Sequence, residues 1–118
     1  MAQLFVIDQN QQAKLLIENL QTAQSLVSRG IGLLSRKSIT SNEALWLKPG
    51  NNVHTFFMRF AIDCIFLDSK MKISRVYKNV KPFRFVGPVW KAASVIEAAA
   101  GQVESWNLKE GDQLYVVS

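Results

Sequence analysis

The chain has one cysteine, one histidine and three prolines in 118 residues, and no apolar run approaches the length of a membrane span. Each scarcity removes a class of explanation. A lone Cys64 cannot form an intramolecular disulfide, so stability must come from a packed core and nothing demands an oxidising compartment. One His and one Cys cannot fill a zinc site without two carboxylates, so no metal or other cofactor is expected. Gly30-x-Gly32 lacks the third glycine of a dinucleotide fingerprint. The opening MAQLFVIDQN has no basic leader and its apolar run is broken by Asp8, so a secretory signal is not expected and cytoplasm is the expected compartment. No internal repeat or low-complexity tract is visible.

What is present suits a folded body. Apolar residues make up 48% and charged residues 19% of the chain, the balance of a soluble globular domain. A single domain over 1–118 is long enough to bury roughly two thirds of its unfolded surface without staples. Fourteen Lys and Arg against nine Asp and Glu give a formal charge of +5, which favours anionic partners.

Residues 4–8 and 13–20, joined by a polar QNQQ turn, read as a hairpin. From Thr22 the spacing changes: Ala23, Leu26 and Val27 share a helical face, Thr22 can cap it and Gly30 can end it. Further strands are expected at 43–48, stopped by Pro49-Gly50, at 71–80, at 93–99 and at the end of the chain, with a helical turn near 103–108. No alternating βαβ rhythm appears. The expected class is α+β, with a mainly antiparallel, strongly curved or barrel-like sheet of about seven strands, one main helix and a short second helix.

The stretch NVHTFFMRFAIDCIFLD, 52 to 68, sets His54, Arg59, Asp63 and Cys64 in what otherwise reads as buried strand. Alternation splits it into two faces, His54 through Phe66 on even positions and Thr55 through Leu67 on odd ones, with a bend expected in the middle. Arg59 and Asp63 share the odd face but lie roughly 13 Å apart on a straight strand, so each needs a partner elsewhere. Glu97, flanked by Val95, Ile96 and three alanines, needs a cation such as Arg29, Arg36 or Arg59, or an exposed edge. The resulting expectation is a structural polar network of Arg29, Arg36, His54, Arg59, Asp63 and Glu97. Cys64 reads as a small buried hydrophobe.

The ordered segments RGIGLLSR (29–36), VHTFFMRFAIDCIFLD (53–68), KP (81–82), VIEAAAG (95–101) and EGD (110–112) resemble the domain-of-unknown-function family 192, over roughly residues 20 to 118. The likeness is to the branch whose central motif reads H-T-x-x-M-R-F-P-I-D. It implies a compact barrel-like α+β domain and a family without a settled activity. It also singles out Arg29, Gly32, Leu33, Arg36, His54, Thr55, Met58, Arg59, Asp63, Glu97, Gly101, Gly111 and Asp112. Two positions depart from the pattern: Phe57 stands where that branch usually has Gly, and Ala61 where it usually has Pro.

Between Ser69 and Ile96 there are seven cations and no acid, interleaved with Tyr77, Phe83, Phe85 and Trp90. The expected function is therefore a non-enzymatic binding or accessory module, with Lys72, Arg75, Lys78, Lys81, Arg84, Lys91 and Trp90 as its contact strip. Its partner would be an anionic ligand or an acidic protein surface, with nucleic acid a further candidate that no motif supports. The alternative is a small enzyme or small-ligand receptor working at His54, Arg59, Asp63 and Glu97, where His54 would act as base and a carboxylate of Asp63 or Glu97 would orient it. That alternative requires the four side chains to converge in one open cleft.

Overall fold

The computed structural model describes residues 2–23 and 36–118. They form nine strands: β1 (Ala2–Ile7), β2 (Ala13–Ala23), β3 (Glu43–Leu47), β4 (Val53–His54), β5 (Ile62–Leu67), β6 (Ile73–Val80), β7 (Phe85–Val86), β8 (Ser94–Ala99) and β9 (Leu114–Val117). A single helical turn, α1 (Gln102–Ser105), precedes β9. Seven strands make one sheet in the order β6-β5-β8-β3-β2-β1-β9, while β4 and β7 pair apart from it. All neighbours run antiparallel except β2 and β3.

This corrects the α+β, barrel-like expectation. Among the described residues the architecture is sheet, and α1 is the only helix. Thr22 and Ala23, expected to open the main helix, instead end β2, where they pair in parallel register with Trp46 and Leu47. A ladder that already satisfies their backbone groups overrides a weak local helical pattern. Leu26, Val27 and Gly30 lie outside the described residues. The sheet also stays open. Its edge strands β6 and β9 approach at one corner, where Lys72 bridges Gln113 and Ile73 N–H donates to Asp112 O at 2.9 Å. Beyond that corner the four residues of β9 ladder onto β1, leaving no continuous seam to close a barrel.

The sheet is covered on both faces, which explains why β5 and β8 read as unbroken apolar runs rather than alternating ones. One face packs Leu4, Ile17, Ile65, Leu67, Ile96, Val103 and Leu114. The other packs Leu45, Val53, Met58, Ile62, Cys64, Phe66, Val86 and Val95. All six residues of β5 are buried.

The central stretch is not one strand. It pairs only at Val53–His54, turns through residues 55–60, and resumes as β5. The even-face stripe is therefore broken: His54 and Phe56 are exposed, whereas Ile62, Cys64 and Phe66 are buried. Phe57 supplies the turn with φ 68, a left-handed conformation that glycine adopts freely and a bulky side chain resists.

Candidate functional site

Thr55 organises the small β4–β7 unit. It is fully buried, and its hydroxyl donates to Lys81 O at 2.6 Å while accepting from Arg84 N–H at 2.9 Å. Its backbone N–H donates to Arg84 O at 2.8 Å, and Phe83 N–H donates to Thr55 O at 2.9 Å. One residue thus clamps the 81–84 loop against the 55–58 turn. Thr55→Val keeps the shape and strips the hydroxyl, leaving Lys81 O and Arg84 N–H without that partner. The expected cost is about 2 kcal/mol, read from urea unfolding, with faster amide exchange at Arg84.

The clamp presents aromatic rings outward. His54 and Phe85 face each other across the β4–β7 pair. The His54 ring stacks on Phe56 at 5.5 Å, and Phe57 meets Phe83 edge to face at 5.5 Å. Phe57 is 74% exposed, Phe83 57%, Phe85 60% and Trp90 84%, and these are the most exposed of the large hydrophobic side chains in the described residues. The loop leading to Trp90 is held beside this unit by Val89 N–H donating to Asn51 O at 2.8 Å. Phe83, like Phe57, sits at positive φ, 63. Two strained aromatics placed in solvent, in contact with each other, are uncommon in a surface without a task.

The segments that carry the rings hold no acid. Neither 44–62 nor 69–96 contains an Asp or Glu. The cations expected to form a strip are all exposed, but they fall in two groups. Lys81, Arg84 and Lys91 belong to the loops that frame β7. Lys72, Arg75 and Lys78 lie along the edge strand β6 and just before it. There Arg75 covers the Tyr77 ring at 5.1 Å, and strand alternation turns Lys78 to the opposite face.

The polar residues of the central stretch do not converge. Asp63 is fully buried, with one oxygen accepting from Asn79 N–H at 2.8 Å and the other from Gly101 and Val103 N–H at 3.1 and 2.9 Å. Its carboxylate ties β6 and the start of α1 to β5. Glu97 lies on the other face of the sheet, in register with Leu45 and Cys64. Burial raises its carboxyl from the ordinary 4.5 to about 7, and among the described residues no cation pairs with it. Burial, then the charges of Glu97 and Asp63, also push the Cys64 thiol well above its usual range, which keeps it an unreactive thiol. His54 and Arg59 are exposed. Arg36 pairs with Glu43, whose carboxyl is held below its usual value by that guanidinium and by Thr40 N–H. Arg29 lies outside the described residues.

The sequence places Phe83, Phe85 and Trp90 in the basic, aromatic strip, but it sets Phe56 on the even face of an expected strand and does not join Phe57 to the other rings. The usable signal was Phe57 in a position where the resembled branch has Gly.

Residues 4–116 match the profile of the DUF192 family, described as Uncharacterized ACR. A UPF0127 protein of Pyrococcus horikoshii is 32% identical over 98 residues, covering 80% of this chain and 84% of that protein. A UPF0127 protein of Pyrococcus furiosus is 33% identical over 95 residues, covering 78% and 81%. Two solved structures share the fold. One, from Sinorhizobium meliloti 1021 and provisionally described as a transcription regulator, superposes with a TM-score of 0.84 at 18% identity, covering 98% of this chain and 94% of that one. The other, a protein of unknown function from Novosphingobium aromaticivorans, gives 0.83 at 15% identity, covering 96% and 83%.

Proposed function

Since this chain belongs to the DUF192 family, for which no activity is assigned, its function has to be read from its own surface, and we propose a non-enzymatic module that binds an anionic partner. The contact face is the ring cluster around β4 and β7, with Arg59, Lys81, Arg84, Lys91 and Trp90 around it. The observation that carries this reading is Phe57. A side chain that is 74% exposed gains little from the fold, yet it occupies a left-handed backbone position that costs about 1 kcal/mol or more for a non-glycine residue. A residue kept against backbone preference and in solvent serves something outside the fold.

The cations of β6 are given a smaller part. Arg75 and Lys78 guard a sheet edge, where charge discourages pairing with a stray strand, whereas Lys72 sits at the corner bridged to Gln113. The enzymatic alternative at His54, Arg59, Asp63 and Glu97 finds little support in the geometry. Both Asp63 oxygens are occupied by backbone N–H groups and Glu97 faces away from Asp63.

The test separates stability from binding. Phe57→Gly is expected to raise stability by about 1 kcal/mol in denaturant unfolding, by relieving the positive φ. The same variant is expected to lose most of its affinity for polyanions, followed by amide chemical-shift mapping with single-stranded DNA, poly-glutamate and anionic vesicles. Shifts gathered on residues 54–59 and 81–91 support the proposal. Shifts confined to the β1–β9 end of the sheet, or none with any polyanion at low salt, end it.

A further inference from the structure

Resting on that reading, we infer that the anionic partner is a lipid bilayer surface, on which the β4–β7 unit docks with its rings in the interfacial layer and its cations among the headgroups. Three observations converge on this. The most exposed rings are Phe57, Phe83, Phe85 and Trp90, three of them without any polar atom. Phenyl and indole groups bury favourably at the boundary between headgroups and acyl chains, where no directional partner is needed.

Much of the backbone beneath them is bonded internally. Thr55 N–H, Phe83 N–H, Arg84 N–H, Met58 N–H and Val89 N–H all donate to groups within the 51–84 region, and Val53–His54 ladders with Phe85–Val86. Each backbone group paired in this way lowers the cost of bringing the unit into a medium of low dielectric.

Charge completes the match. The two acid-free segments, 44–62 and 69–96, place Arg59, Lys81, Arg84 and Lys91 around the rings with no carboxylate of those segments to repel an anionic headgroup. Each cation brought near an anionic leaflet strengthens binding roughly fivefold, and the gain fades with salt.

Other occupants fit less well. A single nucleic-acid strand stacks its bases on open ring faces set along a charged groove. Here Phe57 and Phe83 stand at 71° with an edge of one against the face of the other, so they present a wedge rather than a platform. A second copy of this chain would bring the same cations face to face.

The decisive measurement is co-sedimentation with vesicles of phosphatidylcholine alone and of phosphatidylcholine mixed with phosphatidylglycerol, beside binding to oligothymidylate and to poly-glutamate. The wild-type chain is expected to sediment with the mixed vesicles, far less with the neutral ones, and to be released by salt. Lys81→Gln with Arg84→Gln should weaken that association roughly thirtyfold. Phe57→Asn with Phe83→Asn should weaken it at least about tenfold, and Asn tolerates the left-handed backbone at both positions, so the fold is preserved. Thermal melts of both variants check this. Failure to sediment with anionic vesicles, with binding to either soluble polyanion retained, overturns the lipid inference and leaves the anionic-partner reading standing. Silence toward all three probes removes both, and undiminished vesicle binding by both double variants also overturns the lipid inference.

Discussion

Glu97→Gln raises the stability of this protein by about 3 kcal/mol near neutral and alkaline pH and leaves it almost unchanged in acid. The expectation follows from linkage. Glu97 sits in the middle of the sheet, and burial lifts its carboxyl from 4.5 to about 7. As pH rises through about 4.5 the unfolded chain releases this proton while the folded chain still holds it, so unfolding becomes easier. The loss continues until the folded carboxyl ionises near 7 and is constant above that. The interval corresponds to about 3 kcal/mol. Gln has the same shape as the protonated acid and no proton to lose, so the variant lacks this slope. Glu43 works in the opposite sense, because Arg36 holds its carboxyl low and its contribution is lost as pH falls. The diagnostic quantity is therefore the difference between wild type and variant in denaturant unfolding across that window. A difference that does not grow with pH, or a variant less stable than wild type above pH 7, would falsify the assignment of Glu97 as an acid whose carboxyl is lifted by burial.

Asp63 should give the opposite result. Its carboxylate accepts three backbone N–H groups at 2.8 to 3.1 Å and is itself fully buried. Charge-assisted bonds of this kind are worth more than neutral ones, and removing the acceptor strands three donors at once. Asp63→Ala is expected to cost about 4 kcal/mol and to lower the melting temperature by roughly 15 °C. Asp63→Asn retains one acceptor oxygen but turns an NH2 toward an N–H, so an intermediate loss of about 2 kcal/mol is expected. Amide exchange should speed up first at Asn79, Gly101 and Val103. A variant at Ala that melts with the wild type would show that these bonds do not carry the junction between β5, β6 and α1.

The contrast between the two carboxylates was only partly legible in the sequence. Both stood out as acids in apolar company, and the need for a partner followed from desolvation alone. That Asp63 would be met by amides rather than by Arg59 depends on Gly101, whose φ of 95 turns the chain so that its own N–H and that of Val103 reach back to β5. Strands were easier to find wherever Pro, Gly or Asp marked their ends. The 43–47, 73–80 and 94–99 elements lie within a few residues of where β-branched runs and breakers predicted them. The break at 55–60 carried no such mark, because it is made by Phe57 without a glycine and without a proline. The length of the run called for a bend, but a turn built from a residue that resists it cannot be located from propensity. The helix expected from Thr22 fails at its first two positions for a related reason: β3 offers them a ladder that lies more than twenty residues further along.

The position of β8 has a consequence for the chain as it leaves the ribosome. This strand occurs late in sequence, yet it lies between β5 and β3 and pairs with both. Until residues 94–99 emerge from the exit tunnel, the nascent polypeptide holds two half-sheets with bare, sticky flanks and nothing to unite them, and β9 is still to come. Consolidation must therefore wait until β8 has emerged, and a holdase that shields those flanks should improve yield more than slower synthesis would.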